Sequence, residues 1–190
     1  MKKFIFQIVY FLMLVNVVKI YAADEKTPIN LSIYPPITIF EEAKVYGIDL
    51  GLLGTQSKIV YGYQYSLFHS RVNKCYGIQE SWIYASADNI YGIQSAFVTK
   101  NKTCYGLQSG FVCTSETVLG VQGNVTIFSK TNYIKGAQFG VLNICREDAQ
   151  GAQVGILNYA GSLRGVQIGV LNIIKNPKII PVMIGLNISW

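Results

Sequence analysis

Residues capable of covalent or metal chemistry are few in this chain and are not grouped as such chemistry requires. His69 is the single histidine, and no base, nucleophile or ligand motif accompanies it, so a polar residue beside a turn is expected. The acidic pairs Glu41-Glu42 and Glu147-Asp148 fall in polar connecting stretches, where charge serves solvation. Cys75, Cys104, Cys113 and Cys145 show neither the close pairing of a zinc site nor a Cys-x-x-Cys redox spacing. They read as small buried hydrophobes. A Cys75–Cys104 disulfide is disfavoured, because an intervening strand would hold the two about 9 to 10 Å apart. No catalytic residue, cofactor site or metal site is expected.

Tyrosines offer a ligand more. Tyr46, Tyr61, Tyr76, Tyr91 and Tyr105 each stand immediately before a glycine, and Leu119, Lys135, Gln150 and Arg164 take the same place further along. Stacked in a column, such rings form a flat amphipathic strip suited to a sugar or a partner protein. The same rings can instead serve only each other, as cross-strand supports.

The glycines behind those tyrosines mark a repeat. Gly47-Ile-Asp49 is followed by Gly62 with Gln64, Gly77 with Gln79, Gly92 with Gln94, Gly106 with Gln108, Gly120 with Gln122, Gly136 with Gln138, Gly151 with Gln153 and Gly165 with Gln167. Successive glycines lie 15, 15, 15, 14, 14, 16, 15 and 14 residues apart, the mark of a repeat architecture. A unit this short cannot hold a helix pair, and its glycines and β-branched residues favour strands. The residue after each glycine and the residue five after it are apolar, among them Trp82, Phe97, Phe111 and Val125. Glycine, glutamine and a small residue occupy the opposite face.

Two all-β architectures can use this pattern. In a β-solenoid or β-roll of about nine 15-residue units, parallel coils stack about 4.8 Å apart, and the glutamines form one amide ladder with Asn143, Asn158 and Asn172 in a second. The apolar face is then expected to be the internal core. In an antiparallel outer-membrane-type barrel each unit is one strand with its apolar face toward lipid. The motif is nearly symmetric about the glutamine, as up and down strands would both allow. Glu80 within the apolar face and the strict recurrence of the glutamine favour the solenoid.

Residues 1–23 read as a signal peptide: a Met1-Lys2-Lys3 start, an apolar run from Phe4 to Val18, and a small-residue end at Ala22-Ala23. Without Lys2, Lys3 and Lys19, 13 basic side chains face 10 acidic ones, a formal charge of +3. That is too small to argue for nucleic acid. The basic residues look scattered singly over a solvated surface. The expected organisation continues with an N-terminal β cap over 24–44, the repeat array over 45–174 and a C-terminal cap strand over 175–190.

The clearest units, Gly136-Ala-Gln-Phe-Gly-Val-Leu-Asn143, Gly151-Ala-Gln-Val-Gly-Ile-Leu-Asn158 and Gly165-Val-Gln-Ile-Gly-Val-Leu-Asn172, resemble a family of short bacterial surface-repeat proteins found in spirochaetes and other Gram-negative groups. Leu31 to Phe40, Tyr46 to Gly51 and Ile180 to Asn187 resemble the two ends of that family. The resemblance implies an exported protein at the cell surface or outer membrane and transfers no catalytic residue. A non-enzymatic structural or adhesive role is therefore expected, with a surface glycan or protein as partner and membrane association as an option. The alternative is a small outer-membrane barrel acting as pore or anchor.

Overall fold

The computed structural model describes residues 26–35, 37–40, 43–123, 126–177 and 181–189; the expected signal peptide, Glu41-Glu42 and Val125 lie outside them. Every regular element among the described residues is a strand. The order is β1 (Lys26–Tyr34), β2 (Ile37–Thr38), β3 (Lys44–Gly51), β4 (Gly54–Ser66), β5 (His69–Ser81), β6 (Tyr84–Ser95), β7 (Val98–Ser109), β8 (Val112–Gln122), β9 (Phe128–Phe139), β10 (Leu142–Val154), β11 (Leu157–Ile174) and β12 (Val182–Ser189). From β3 to β11 each strand pairs in parallel with the next, and repeat-equivalent residues meet: Gly62 with Gly77, Gly92 with Gly106, Gly136 with Gly151. The fold is a β-solenoid of about nine coils, and its parallel register replaces the antiparallel barrel. At one end β1 runs parallel to β3 and antiparallel to β2. At the other, β12 turns back antiparallel on β11.

Each coil is one nearly continuous strand that turns corners. Inside and outside residues alternate along a straight strand, and in β4 that alternation breaks around Lys58-Ile59 and again over Tyr61-Gly62-Tyr63, with a bend at Leu67-Phe68. The repeat glycine makes the middle corner. From Gly47 to Gly165 its φ lies between 126° and 149°, a region that only glycine enters without strain. A Cβ on Gly92 would also collide with the carbonyl oxygen of Gly77 on the coil below.

The interior reverses the expected assignment of faces. The glutamines point inward and are 0–1% exposed, whereas Trp82 and Phe97 are 71% and 52% exposed. A coil of about 15 residues encloses a channel too narrow for large apolar groups from every side, and an amide can satisfy itself there. Gln79 Nε2 donates to Gln64 Oε1 (2.9 Å), Gln94 to Gln79 (2.9 Å), Gln108 to Gln94 (3.4 Å), Gln122 to Gln108 (2.8 Å), Gln138 to Gln122 (2.9 Å), Gln153 to Gln138 (2.7 Å) and Gln167 to Gln153 (2.8 Å). The second amide hydrogen reaches a backbone carbonyl, as from Gln79 to Ser86 (3.0 Å). All the amides therefore face one way.

Asp49 sets that direction. It replaces glutamine in the first coil, and its carboxyl oxygens accept from Gln64 Nε2 at 2.8 Å, Ser57 Oγ at 2.7 Å and Asn30 Nδ2 at 3.2 Å. Burial holds its pKa above the ordinary carboxylate value against the pull of those three donors. The second ladder is also present, with Asn143 Nδ2 donating to Asn158 Oδ1 and Asn158 Nδ2 to Asn172 Oδ1, both at 2.8 Å. In earlier coils Ser70, Ala85, Thr99, Cys113 and Ser129 take that column, and no amide ladder runs through it there.

One wholly apolar column completes the core: Val45, Val60, Cys75, Ile90, Cys104, Val118, Ile134, Ala149 and Leu163 are all buried. Full burial of a Val or Ile side chain contributes about 1.5–3 kcal/mol. Cys75 and Cys104 are free thiols two rungs apart with Ile90 between them, and burial pushes each up to about 12.

Candidate binding surfaces

The tyrosine column stands just before the glycine corner. Cα register pairs Tyr46 with Tyr61, Tyr61 with Tyr76, Tyr76 with Tyr91 and Tyr91 with Tyr105. Ring centroids are 4.7, 4.7, 4.7 and 4.8 Å apart with interplanar angles of 14°, 6°, 5° and 3°. The spacing is that of the backbone rungs, so the strands themselves impose the stack. All five rings remain 37–46% exposed, leaving a strip of ring edges and hydroxyls open to solvent. Lys26 Nζ closes one end, 5.7 Å from the Tyr46 ring centroid. Leu119, Lys135, Gln150 and Arg164 continue the column.

After the glycine corner the outward surface is apolar. Ile48, Ile93, Leu50 and Ile168 are exposed on the flat side, and Phe68, Trp82, Phe97, Phe111, Ile127, Val141, Ile156 and Val170 crest the next corner. Phe97 and Phe111 stack at 4.7 Å. Glu80 interrupts this side, where it accepts a 2.7 Å hydrogen bond from the Tyr63 hydroxyl. Burial, reinforced by Glu80, raises Tyr63 to about 12.

Beyond that crest lies a third surface that the sequence reading missed. Arg71, Ser86, Lys100, Thr114 and Lys130 are successive partners in one outward column, along an open groove of about 820 Å³. Six residues before Gly77, Gly106 and Gly136 stand Arg71, Lys100 and Lys130; alignment on the glycine would have revealed them. At the next corner Lys102 binds Asp88 at 2.9 Å, and Glu116 lies close enough to act on the same ammonium. His69 sits at the groove's end, its ring stacked on Tyr84 at 5.3 Å. Burial, aided by the Arg71 charge, lowers its pKa, so it is neutral at neutral pH.

Glu147 and Asp148 tie neighbouring coils together. The Tyr133 hydroxyl donates to Glu147, and Asp148 accepts from Ser162 Oγ at 2.6 Å and Gln150 Nε2 at 2.8 Å. Those donors hold the Asp148 carboxyl below its ordinary value. Among the described residues, no three His, Cys, Asp or Glu side chains are placed to hold a metal ion. No protein-family model, curated protein or solved structure matches this chain.

Proposed function

We propose that this chain is a non-enzymatic protein exported to a bacterial surface, where its coils present a repeated aromatic strip to a glycan or protein partner. The stacked and exposed column Tyr46–Tyr61–Tyr76–Tyr91–Tyr105 carries this reading. Stacked rings are already immobile, so binding against them sacrifices little conformational entropy. The repeats' resemblance to bacterial surface proteins supports the location. The apolar crest around Trp82, Phe97 and Phe111 supports a second reading, attachment to a membrane.

One experiment separates the two readings: glycan-array, surface-protein and lipid-vesicle binding by the wild type and two triple variants. Replacing Tyr61, Tyr76 and Tyr91 with Ser is expected to abolish glycan or protein binding while circular dichroism and thermal midpoint change little. Replacing Trp82, Phe97 and Phe111 with Ser is expected to affect vesicle binding alone. Parallel loss of folding and binding in the tyrosine variant would reduce the column to a cross-strand support, with several contributions of roughly 0.2–1 kcal/mol each.

A further inference from the structure

We propose that the groove along Arg71, Ser86, Lys100, Thr114 and Lys130 binds a linear anionic polysaccharide whose acidic sugars alternate with neutral ones. This site lies on a different side of the coil from the tyrosine strip and does not depend on it.

The column alternates strictly between cation and hydroxyl, one residue per rung. With rungs about 4.8 Å apart, positive charge recurs about every 9.6 Å. The side chains of Arg71, Lys100 and Lys130 form no ion pair among the described residues, so the charge is available. The neighbouring acids do not cancel it: Asp88 is held by Lys102, Glu116 faces that same lysine, and Arg146 adds a further cation to the groove.

Pattern decides the class of ligand. A nucleic acid carries charge on every unit, and its bases seek stacking platforms. Here alternate rungs are neutral hydroxyls, and the groove's two rings, His69 and Tyr84, stack on each other at its end and not along the column from Arg71 to Lys130. Alternation of carboxylate and neutral sugar fits: guanidinium and ammonium groups meet the acidic residues, while Ser86, Asn73 and Asn132 face sugar hydroxyls and Thr114 Oγ1, which donates to the Thr99 carbonyl at 3.2 Å, offers them an acceptor. An extended pyranose spans about one rung, so one chain lies along the axis without bending.

Hyaluronan oligosaccharides, acidic at every second sugar, serve as the probe for the full-length chain, with dextran as neutral control and single-stranded DNA as uniformly charged control. Calorimetry at low salt is expected to show hyaluronan binding that weakens as salt rises. Replacing Arg71, Lys100 and Lys130 with Ser is expected to reduce affinity by at least about tenfold. Replacing Lys44, Lys74 and Lys175, which lie outside both the groove and the tyrosine column, with Ser removes equal charge elsewhere and is expected to leave it within about twofold. A complementary variant, Ser86→Lys with Thr114→Lys, fills the neutral rungs and is expected to shift preference from hyaluronan toward single-stranded DNA. It keeps the test alive should the first variant fail to fold. Equal loss in both serine variants, tighter binding of DNA than hyaluronan by the wild type, or an unchanged preference in the lysine variant would overturn the proposal.

Discussion

Truncating one glutamine in the middle of the ladder tests whether the solenoid rests on its amide chain. Gln108 donates to Gln94 Oε1 at 3.4 Å and to the Thr114 carbonyl at 3.2 Å, and accepts from Gln122 Nε2 at 2.8 Å and Ser115 Oγ at 2.6 Å. In Gln108→Ala, Gln94 Oε1 still receives Asn101 Nδ2 at 2.9 Å, and Gln122 retains weaker contacts to Ser115 and the Lys130 carbonyl. The Thr114 carbonyl loses its amide donor and the Ser115 hydroxyl its acceptor. Thr114 and Ser115 are half-buried, so the four lost hydrogen bonds cost about 0.5–1.5 kcal/mol each, and the cavity brings the total to about 3–5 kcal/mol. Gln108→Met preserves most of the volume and orphans the same groups, so about 2–4 kcal/mol is expected from lost hydrogen bonding alone. Urea unfolding followed by far-UV circular dichroism measures both. Hydrogen exchange should show protection failing first in β7 and β8, since each coil contacts only its neighbours. A loss under about 1 kcal/mol in both variants would refute the claim that the amide chain holds the coils in register.

Asp49 predicts a particular pH response. Its folded pKa is raised above the ordinary carboxylate value of 3.8, so its contribution to stability is fully present below the unfolded value and is lost as pH rises through the folded one. Asp49→Asn lacks that loss, and unfolding free energies measured from about pH 3 to about pH 7 should show the variant gaining on the wild type as pH rises; a constant difference would contradict this. Gly92→Ala forces a side chain into positive φ and against the Gly77 carbonyl. The backbone strain alone is expected to cost about 1–3 kcal/mol, read from the shift in thermal midpoint.

The period of the glycines made the coil legible, and with it the parallel contact between Gln94 and Gln108. The direction of the side chains was not legible in the same way. Reading the face of Trp82 and Phe97 as core, opposite the glutamines, follows the usual transfer energies of single side chains. A glutamine whose donors and acceptor are all met by copies of itself escapes that rule, because the desolvation penalty is offset within the column. Only the structure shows that the strand turns several corners per coil. That count of corners separates the tyrosines from the apolar crest and aligns Arg71 with Lys100 and Lys130. Read linearly, those three cations are isolated residues about thirty positions apart.

The direction of the inter-coil hydrogen bonds also gives this molecule a mechanical character. They run along the stacking axis, and β2 and β12 lie at opposite extremes of the sheet. Tension between those ends would load one rung at a time, as in opening a zipper, and would not shear many rungs together. Each released coil of about 15 residues would lengthen the chain by about 50 Å. Force–extension curves should therefore rise in a regular sawtooth, making the protein a stepwise extensible tether whose reach is set by its number of coils.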